Sequence, residues 1–323
     1  MSDLRFVDVC AGAGGLALGL ERAGFDPALL LDRKTVACET LALNRPLWKV
    51  LEMDLLDFVP DEHPHTYDVD LLSAGLPRLR SSATVARAET DEEERLLRAA
   101  VLLAHSIQPR AVILENVPGL VDAGAFEPLR EFVREELEHL GYRLHWFVVN
   151  AADFGVPQDR KQGVLVALKE RYFDRFRPPE PTVKEHVPVG TALRDSMAAR
   201  GWTGADAWAA RAVSVAPTLV GGSDNRGGAD LGPTGTKAAW ARMGVNGGAL
   251  ADEVPGPEND ADQGLIKLTV AQAALLQGFP EEWRFAGRKT ARYRQIGHAS
   301  PPAVGEALGA AVAEALRTRS LGE

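Results

Sequence analysis

Apolar residues along the first half of the chain fall in short unbroken runs, separated by segments whose apolar positions recur at helical spacing. "RFVDV" predicts a short buried strand, and "GLALGLERAGF" a helix closed by Gly24. "ALLLD" and "YDVDLL" predict further strands. "TDEEERLLRAAVLLAHSI" opens with Thr90 and Glu93 at capping-box spacing and then turns amphipathic. "RAVILENV" reads as another buried strand, and "EPLREFVREELEHLG" as a helix with Pro128 in its first turn and Gly141 as its stop. "YRLHWFVVNAADFG" and "GVLVAL" continue the alternation. Strands that are apolar on both faces, alternating with helices, predict an α/β fold with a doubly wound, mostly parallel sheet.

The pattern changes after about residue 172. "FRPPEPT" has the composition of a linker, and from there to about residue 265 the chain is rich in Gly, Pro, Asp and Asn with weak periodicity. This predicts a separate, smaller, loop-rich lobe, with Trp202, Trp208 and Trp240 to bury. "ASPPAVGEALGAAVAEALRTR" predicts a closing amphipathic helix, and no internal repeat is evident.

Composition adds exclusions. The chain has 323 residues, enough for a large core and a second lobe, and 46% of them are hydrophobic. No apolar stretch approaches the length of a membrane span, and the opening residues lack a signal peptide's basic and apolar regions. The two cysteines, Cys10 and Cys38, have neither metal-ligand spacing nor a disulfide framework, and Cys38 reads as a buried structural thiol. The expectation is a cytoplasmic protein with no metal, and nothing in the sequence sets its oligomeric state. A net charge of −9 argues against nonspecific polyanion binding. Yet "RFAGRKTARYR" gathers Arg284, Arg288, Lys289, Arg292 and Arg294 with no acid between them, as a solvated helix face or a phosphate-contacting patch. His63 and His65 in "DEHPHT" read as surface-loop residues.

Candidate chemistry lies where strands end. "DVCAGAGGLALGL" puts Asp8, Gly12, Gly14 and Gly15 at the turn from the first strand into the first helix, a ready site for a nucleotide-like ligand. Asp32 ends the second strand, where an acid can accept both ribose hydroxyls, and Asp54 ends the third; acids ending successive strands beside a glycine-rich turn suit an adenosine ligand better than a dinucleotide. "ILENVPGL" places Glu115 at the end of an otherwise apolar strand, where a carboxyl is predicted to be partly desolvated and able to donate a proton. "NAADFGVPQDRKQG" adds Gln158 and Arg160, as site residues or as a loop tying its own backbone.

Taken in order, these motifs resemble the DNA cytosine-5 methyltransferase family. "DVCAGAGG" is similar to the family's first motif, "ENV" at 115–117 to the motif whose glutamate holds the flipped cytosine, and "QDRKQ" at 158–162 to its Q-x-R-x-R motif. "LTVAQAALLQGFPEEW" at 268–283 and "YRQIGHASPPAVGEAL" at 293–308 resemble its last two motifs. The resemblance implies a class I, Rossmann-like catalytic domain over 1–172 and 288–323, with a target-recognition domain over 173–287. It implies S-adenosyl-L-methionine as cofactor and S-adenosyl-L-homocysteine as product, held by Asp8, Cys10, Ala11, Gly12, Gly14, Gly15, Asp32, Arg33, Asp54, Leu55, Gly75 and Pro77. It implies double-stranded DNA as partner, met by Arg80, Ser82 and Arg87 of the loop that closes over DNA, by Arg226 and Lys237 of a glycine-rich loop, and by Arg288, Lys289 and Arg292. Glu115, Arg78, Gln158, Arg160, Gln162 and His298 fall on its catalytic positions.

The chain departs from the family where the base should sit. The P-C-Q motif falls on Pro77, Arg78 and Leu79, so the nucleophilic cysteine is replaced by Arg78. The second arginine of Q-x-R-x-R is Gln162, the last motif's asparagine is His298, and the first motif's aromatic residue is Cys10. C5 of cytosine is a poor nucleophile until a thiolate adds to C6, and an arginine, always protonated, cannot add. Three readings stay open: methylation of a flipped base at an exocyclic amine, cytosine N4 first, which needs no covalent help; a catalytically silent DNA-binding homologue; or an RNA or small-molecule methyltransferase.

Overall fold

The computed structural model describes residues 4–80, 87–221, 229–260 and 264–317, with the backbone alone for 87–91. The elements run β1 (Leu4–Val9), α1 (Gly15–Arg22), β2 (Phe25–Asp32), α2 (Thr35–Asn44), β3 (Val50–Glu52), β4 (Leu71–Gly75), α3 (Arg87–Ile107), β5 (Ala111–Asn116), α4 (Gly119–Asp122), α5 (Glu127–His139), β6 (Tyr142–Asn150), β7 (Gln158–Asp159), β8 (Lys161–Lys169) and α6 (Glu170–Phe173). They continue as α7 (Val189–Ala198), α8 (Ala205–Arg211), β9 (Ala216–Pro217), α9 (Thr234–Arg242), α10 (Val270–Leu276), α11 (Lys289–His298) and α12 (Pro302–Leu316). By contacts the chain divides into two compact units, one of Met1–Val149, Lys161–Glu180 and Val304–Glu323, the other of Asn150–Arg160 and Pro181–Ala303.

The first unit holds a seven-stranded sheet of order β3-β2-β1-β4-β5-β8-β6. The pairs from β3 across to β5 are parallel, and β8 lies antiparallel to β5. This is the doubly wound, mostly parallel α/β sheet that the alternating pattern predicts. Every residue of β5 is buried, as expected of a strand covered on both faces. On one face Leu96, Leu97, Ala100, Val101 and Ala104 of α3 and Leu129, Val133 and Leu137 of α5 join Val7, Val9, Leu72, Val112 and Leu114 in one core. Chain direction across the sheet reverses between β1, which leads to β2 and β3, and β4, which leads to β5. The crevice at the carboxyl ends of β1 and β4 is therefore the topological switch point, where open sheets of this kind take their ligands.

Gly24 does follow α1, at φ +92°, and Gly141 follows α5 at φ +77°, with Pro128 in the first turn of α5. The capping box read at Thr90 and Glu93 is corrected: α3 begins at Arg87, so Thr90 lies inside the helix, not at its N-cap. A capping box does form where α10 begins, with the Thr269 and Gln272 side chains each bonded to the other's backbone. Asp54 lies two residues beyond β3 and caps the short turn Leu55–Asp57 by accepting from the Leu56 N–H.

The second unit is less irregular than its composition predicts. It contains α7, α8 and α9, helices of 7 to 10 residues that are too short to register as periodic patterns. Trp202, Trp208 and Trp240 are buried in it, supplying the core that the sequence assigns to them. Among the described residues no helix is long and apolar enough to cross a membrane, and no group of three or more His, Cys, Asp or Glu could hold a metal ion.

Candidate active site

The turn after β1 wraps over the carboxyl edge of the sheet. Cys10, Gly12 and Gly14 all take left-handed backbone, at φ +57°, +53° and +81°. Two glycines meet that demand without strain; Cys10 meets it at a cost of about 1–3 kcal/mol, as residues do at sites that over-determine their shape. The Ala11 N–H donates to the Leu31 carbonyl at 2.9 Å, and Gly14 ends the turn where Gly15 starts α1. Asp32, last in β2, accepts from the N–H of Gly12 and of Lys34, each at 2.8 Å. Burial pushes its carboxyl up, and those two bonds oppose the shift. Asp54 pairs with Arg33 at 3.4 Å, Arg33 also meets Glu92 of α3, and Leu55 is buried.

Asp8 is fully buried and stands in register with Ser73 of β4. The Ser73 hydroxyl donates to Asp8 Oδ1 at 2.6 Å, while Oδ2 has no hydrogen-bond partner among the described residues. Burial dominates and lifts the Asp8 pKa from 3.8 to about 7, with Asp32 and Glu115 pushing the same way and the Ser73 bond opposing. A buried carboxyl oxygen with nothing to accept is unusual in a folded interior and leaves room for one more donor.

Two residues beyond Ser73 along β4, Gly75 lies opposite Glu115 of β5. A Cβ at Gly75 would come within 4.0 Å of Glu115 Oε2 and 3.8 Å of the Cys10 carbonyl, so the bare glycine leaves the crevice open between turn and carboxyl. Glu115 is 7% exposed. Beyond Gly75 the chain passes through exposed Pro77 to half-buried Arg78, whose side chain has no hydrogen bond or ion pair among the described residues. Leu79 is sunk in the core at 3% exposure. Arg80 pairs with Glu93 at 3.5 Å.

Neither thiol can stand in for a nucleophile at position 78. Burial pushes the Cys10 thiol well up and the Cys38 thiol to about 12, so neither is a thiolate near neutral pH.

Gln162, in β8, is fully buried in the first unit. Gln158, Arg160 and His298 belong to the second. There Gln158 accepts from the Leu219 N–H at 2.9 Å and donates to the Leu276 carbonyl and to Gln277 Oε1, while Arg160 donates to the Leu219 carbonyl at 3.0 Å. Gln277 in turn donates to the Ala299 carbonyl. Gln158 and Gln277 are fully buried, and Arg160 is 1% exposed. His298, exposed at the end of α11, lies beside Gly221.

Of the cationic candidates, Lys237 pairs with Asp230 and Lys289 with Asp252, each at 2.9 Å, and Arg292 donates to the Gly287 carbonyl. Arg288 is the exposed N-cap of α11. Arg87 starts α3 with its side chain outside the description, and Ser82 and Arg226 lie outside the described residues.

Sequence reasoning missed Ser73, Asn116 and Gln277. Ser73 carried a usable signal, as the polar residue in an otherwise apolar strand that pairs with β1; Asn116 and Gln277 stood in quoted motifs without a role.

A model of C-5 cytosine-specific DNA methylases matches residues 4–314. The chain belongs to that family. This methylase-family chain is 44% identical, over its whole length and 78% of the relative's, to the Type II methyltransferase M.NaeI of Lentzea aerocolonigenes. It is 40% identical to the Type II methyltransferase M.NgoMIV of Neisseria gonorrhoeae, over 96% of this chain and 97% of that one. Among solved structures, S. pombe Dnmt2 methyltransferase shares its fold at TM-score 0.64 and 18% identity, covering 98% of this chain and 99% of that one. Entamoeba histolytica methyltransferase EhMeth does so at TM-score 0.67 and 13% identity, over 98% and 100%.

Proposed function

We propose that the protein is an S-adenosyl-L-methionine-dependent DNA methyltransferase that acts on a flipped cytosine and directs the methyl to the exocyclic N4 amine, not to C5. The observation that carries this reading is the contrast between its two halves. At the carboxyl edge of the sheet the fully buried Asp8 keeps its Oδ2 unpartnered among the described residues, which supports a ligand there, while position 78 carries a guanidinium where C5 chemistry needs a thiolate.

The residues present fit the cofactor. Asp8 in β1, Asp32 at the end of β2 and Asp54 two residues beyond β3 supply acceptors, and Gly75 puts no side chain between the Cys10 carbonyl and Glu115. When bound, S-adenosyl-L-methionine supplies an electrophilic methyl on a sulfonium centre. Glu115 can accept a hydrogen bond from the cytosine amine, hold its lone pair in line and take the proton that N4 sheds as it gains the methyl, with S-adenosyl-L-homocysteine as the leaving group. Arg78 offers planar donors to a base carbonyl or a phosphate. Residues 173–287 serve as the target-recognition domain in this reading. Lys237 within it, and Arg288, Lys289 and Arg292 just beyond it, face phosphates in this reading, with Lys237 and Lys289 exchanging surface ion pairs worth at most about 1 kcal/mol for contacts with DNA. M.NaeI and M.NgoMIV are Type II methyltransferases by name, which favours DNA over RNA or small molecules.

A second reading is a silent homologue that binds cofactor and DNA and transfers nothing. The burial of Leu79, at the family's P-C-Q glutamine, favours it, since that side chain offers no polar group to a base.

Duplex DNA containing 5-fluorocytosine separates amine from C5 chemistry. The proposal expects radiolabelled methyl in the DNA with no protein–DNA adduct that survives denaturation. An adduct would show covalent attack at C6 and overturn it.

A further inference from the structure

We infer that Asn116 is the positioning residue of this site: its one carboxamide grips the backbone on both sides of residue 78 and sets where that side chain is presented. The Asn116 Nδ2 donates to the Pro77 carbonyl at 3.0 Å, and its Oδ1 accepts from the Leu79 N–H at 3.0 Å and from the Val117 N–H at 2.9 Å. The Pro77 carbonyl and the Leu79 N–H belong to the two peptide units that flank residue 78, so both of its backbone torsions are spanned by a single side chain. Asn116 is 3% exposed, where such bonds do not compete with water. It ends β5 next to Glu115, which faces Gly75 across the β4–β5 pair, so the grip ties position 78 to the strand that carries the carboxyl.

The side chain at 78 does none of this holding. Arg78 has no hydrogen bond or ion pair among the described residues, and the anchor on its far side is Leu79, buried in the core. Position 78 is thus a seat defined by its neighbours, and a change of side chain there alters the chemistry presented without altering the path of the chain. That explains how an arginine can occupy a nucleophile's place in an intact site. The functional meaning of the seat rests on the proposed reading that residue 78 faces the target base.

The test uses the full chain with R78C as an attachment point for a nitroxide spin label, and the parent chain treated identically to subtract any signal from Cys10 and Cys38. The label's electron paramagnetic resonance spectrum is compared in R78C, R78C/N116A and R78C/N116D, with S-adenosyl-L-homocysteine binding as the control for an intact fold. An immobilised spectrum in R78C, lost in R78C/N116A while ligand binding persists, is expected. N116D keeps the acceptor and loses the donor to Pro77, so its spectrum should fall between the two. If R78C/N116A does not fold, the N116D comparison decides alone. An unchanged spectrum in whichever of these variants folds overturns the inference. Because no methyl transfer is read, this outcome is independent of whether N4 methylation occurs.

Discussion

The Ser73 hydroxyl donates a hydrogen bond to Asp8 Oδ1 across the β1–β4 pair, 2.6 Å from oxygen to oxygen, at the point where the direction of the sheet reverses. The bond satisfies one carboxylate oxygen and leaves the other buried and unpartnered among the described residues. The unfolded carboxyl titrates near 3.8 and the folded one near 7, so the folded chain holds a proton through that window that the unfolded chain has released. The contribution of Asp8 to stability is therefore greatest below pH 4 and falls as pH rises towards 7.

A ligand that donates to Asp8 reverses this preference, because it needs the ionised form. S-adenosyl-L-homocysteine should bind about tenfold more tightly at pH 8 than at pH 6, releasing a proton at the lower pH. Calorimetry in two buffers of different ionisation enthalpy reads that proton. In D8N the release should vanish and affinity should fall.

Restoring the thiol alone should not restore C5 methylation. R78C supplies a nucleophile, but Leu79 stays in the core and Gln162 and His298 stay in place of the family's arginine and asparagine. DNA incubated with R78C and cofactor should contain no 5-methylcytosine by mass spectrometry; its appearance would refute this.

Gly163 of β8 pairs with Asn116, and a Cβ there would meet the Val117 carbonyl oxygen at 2.4 Å and its carbon at 3.0 Å. Backbone cannot yield as a flexible side chain would. G163A should destabilise the first unit by about 1–3 kcal/mol and weaken ligand binding with it. Thermal melts with and without S-adenosyl-L-homocysteine measure both effects.

In the second unit, Q158L would strand the Leu219 N–H and two acceptors in a dry interior. A cost of about 1–3 kcal/mol for each group left unpaired is expected. A denaturant titration showing less than 1 kcal/mol in total would mean that the buried amides relax to other partners.

The parallel sheet was legible because β1, β2, β4 and β5 are apolar on both faces and their helices carry strong amphipathic patterns. The glycine turn and the strand-end acids were legible because backbone conformation and strand position dictate those residue types. Two kinds of feature were not. The start of α3 lies three residues before Thr90, since a capping-box spacing is also satisfied by residues inside a helix. The roles of Asn116 and Gln277 depend on which polar groups arrive beside them from 22 to 119 positions away in sequence, and no local pattern encodes that.

The central claim is tested most directly by identifying the methylated atom. Purified protein, S-adenosyl-L-methionine and unmethylated duplex DNA of mixed sequence are incubated, and the nucleosides are resolved by mass spectrometry. The account predicts N4-methylcytosine. Finding 5-methylcytosine instead, or no modified nucleoside from a protein that binds both cofactor and DNA, would contradict it.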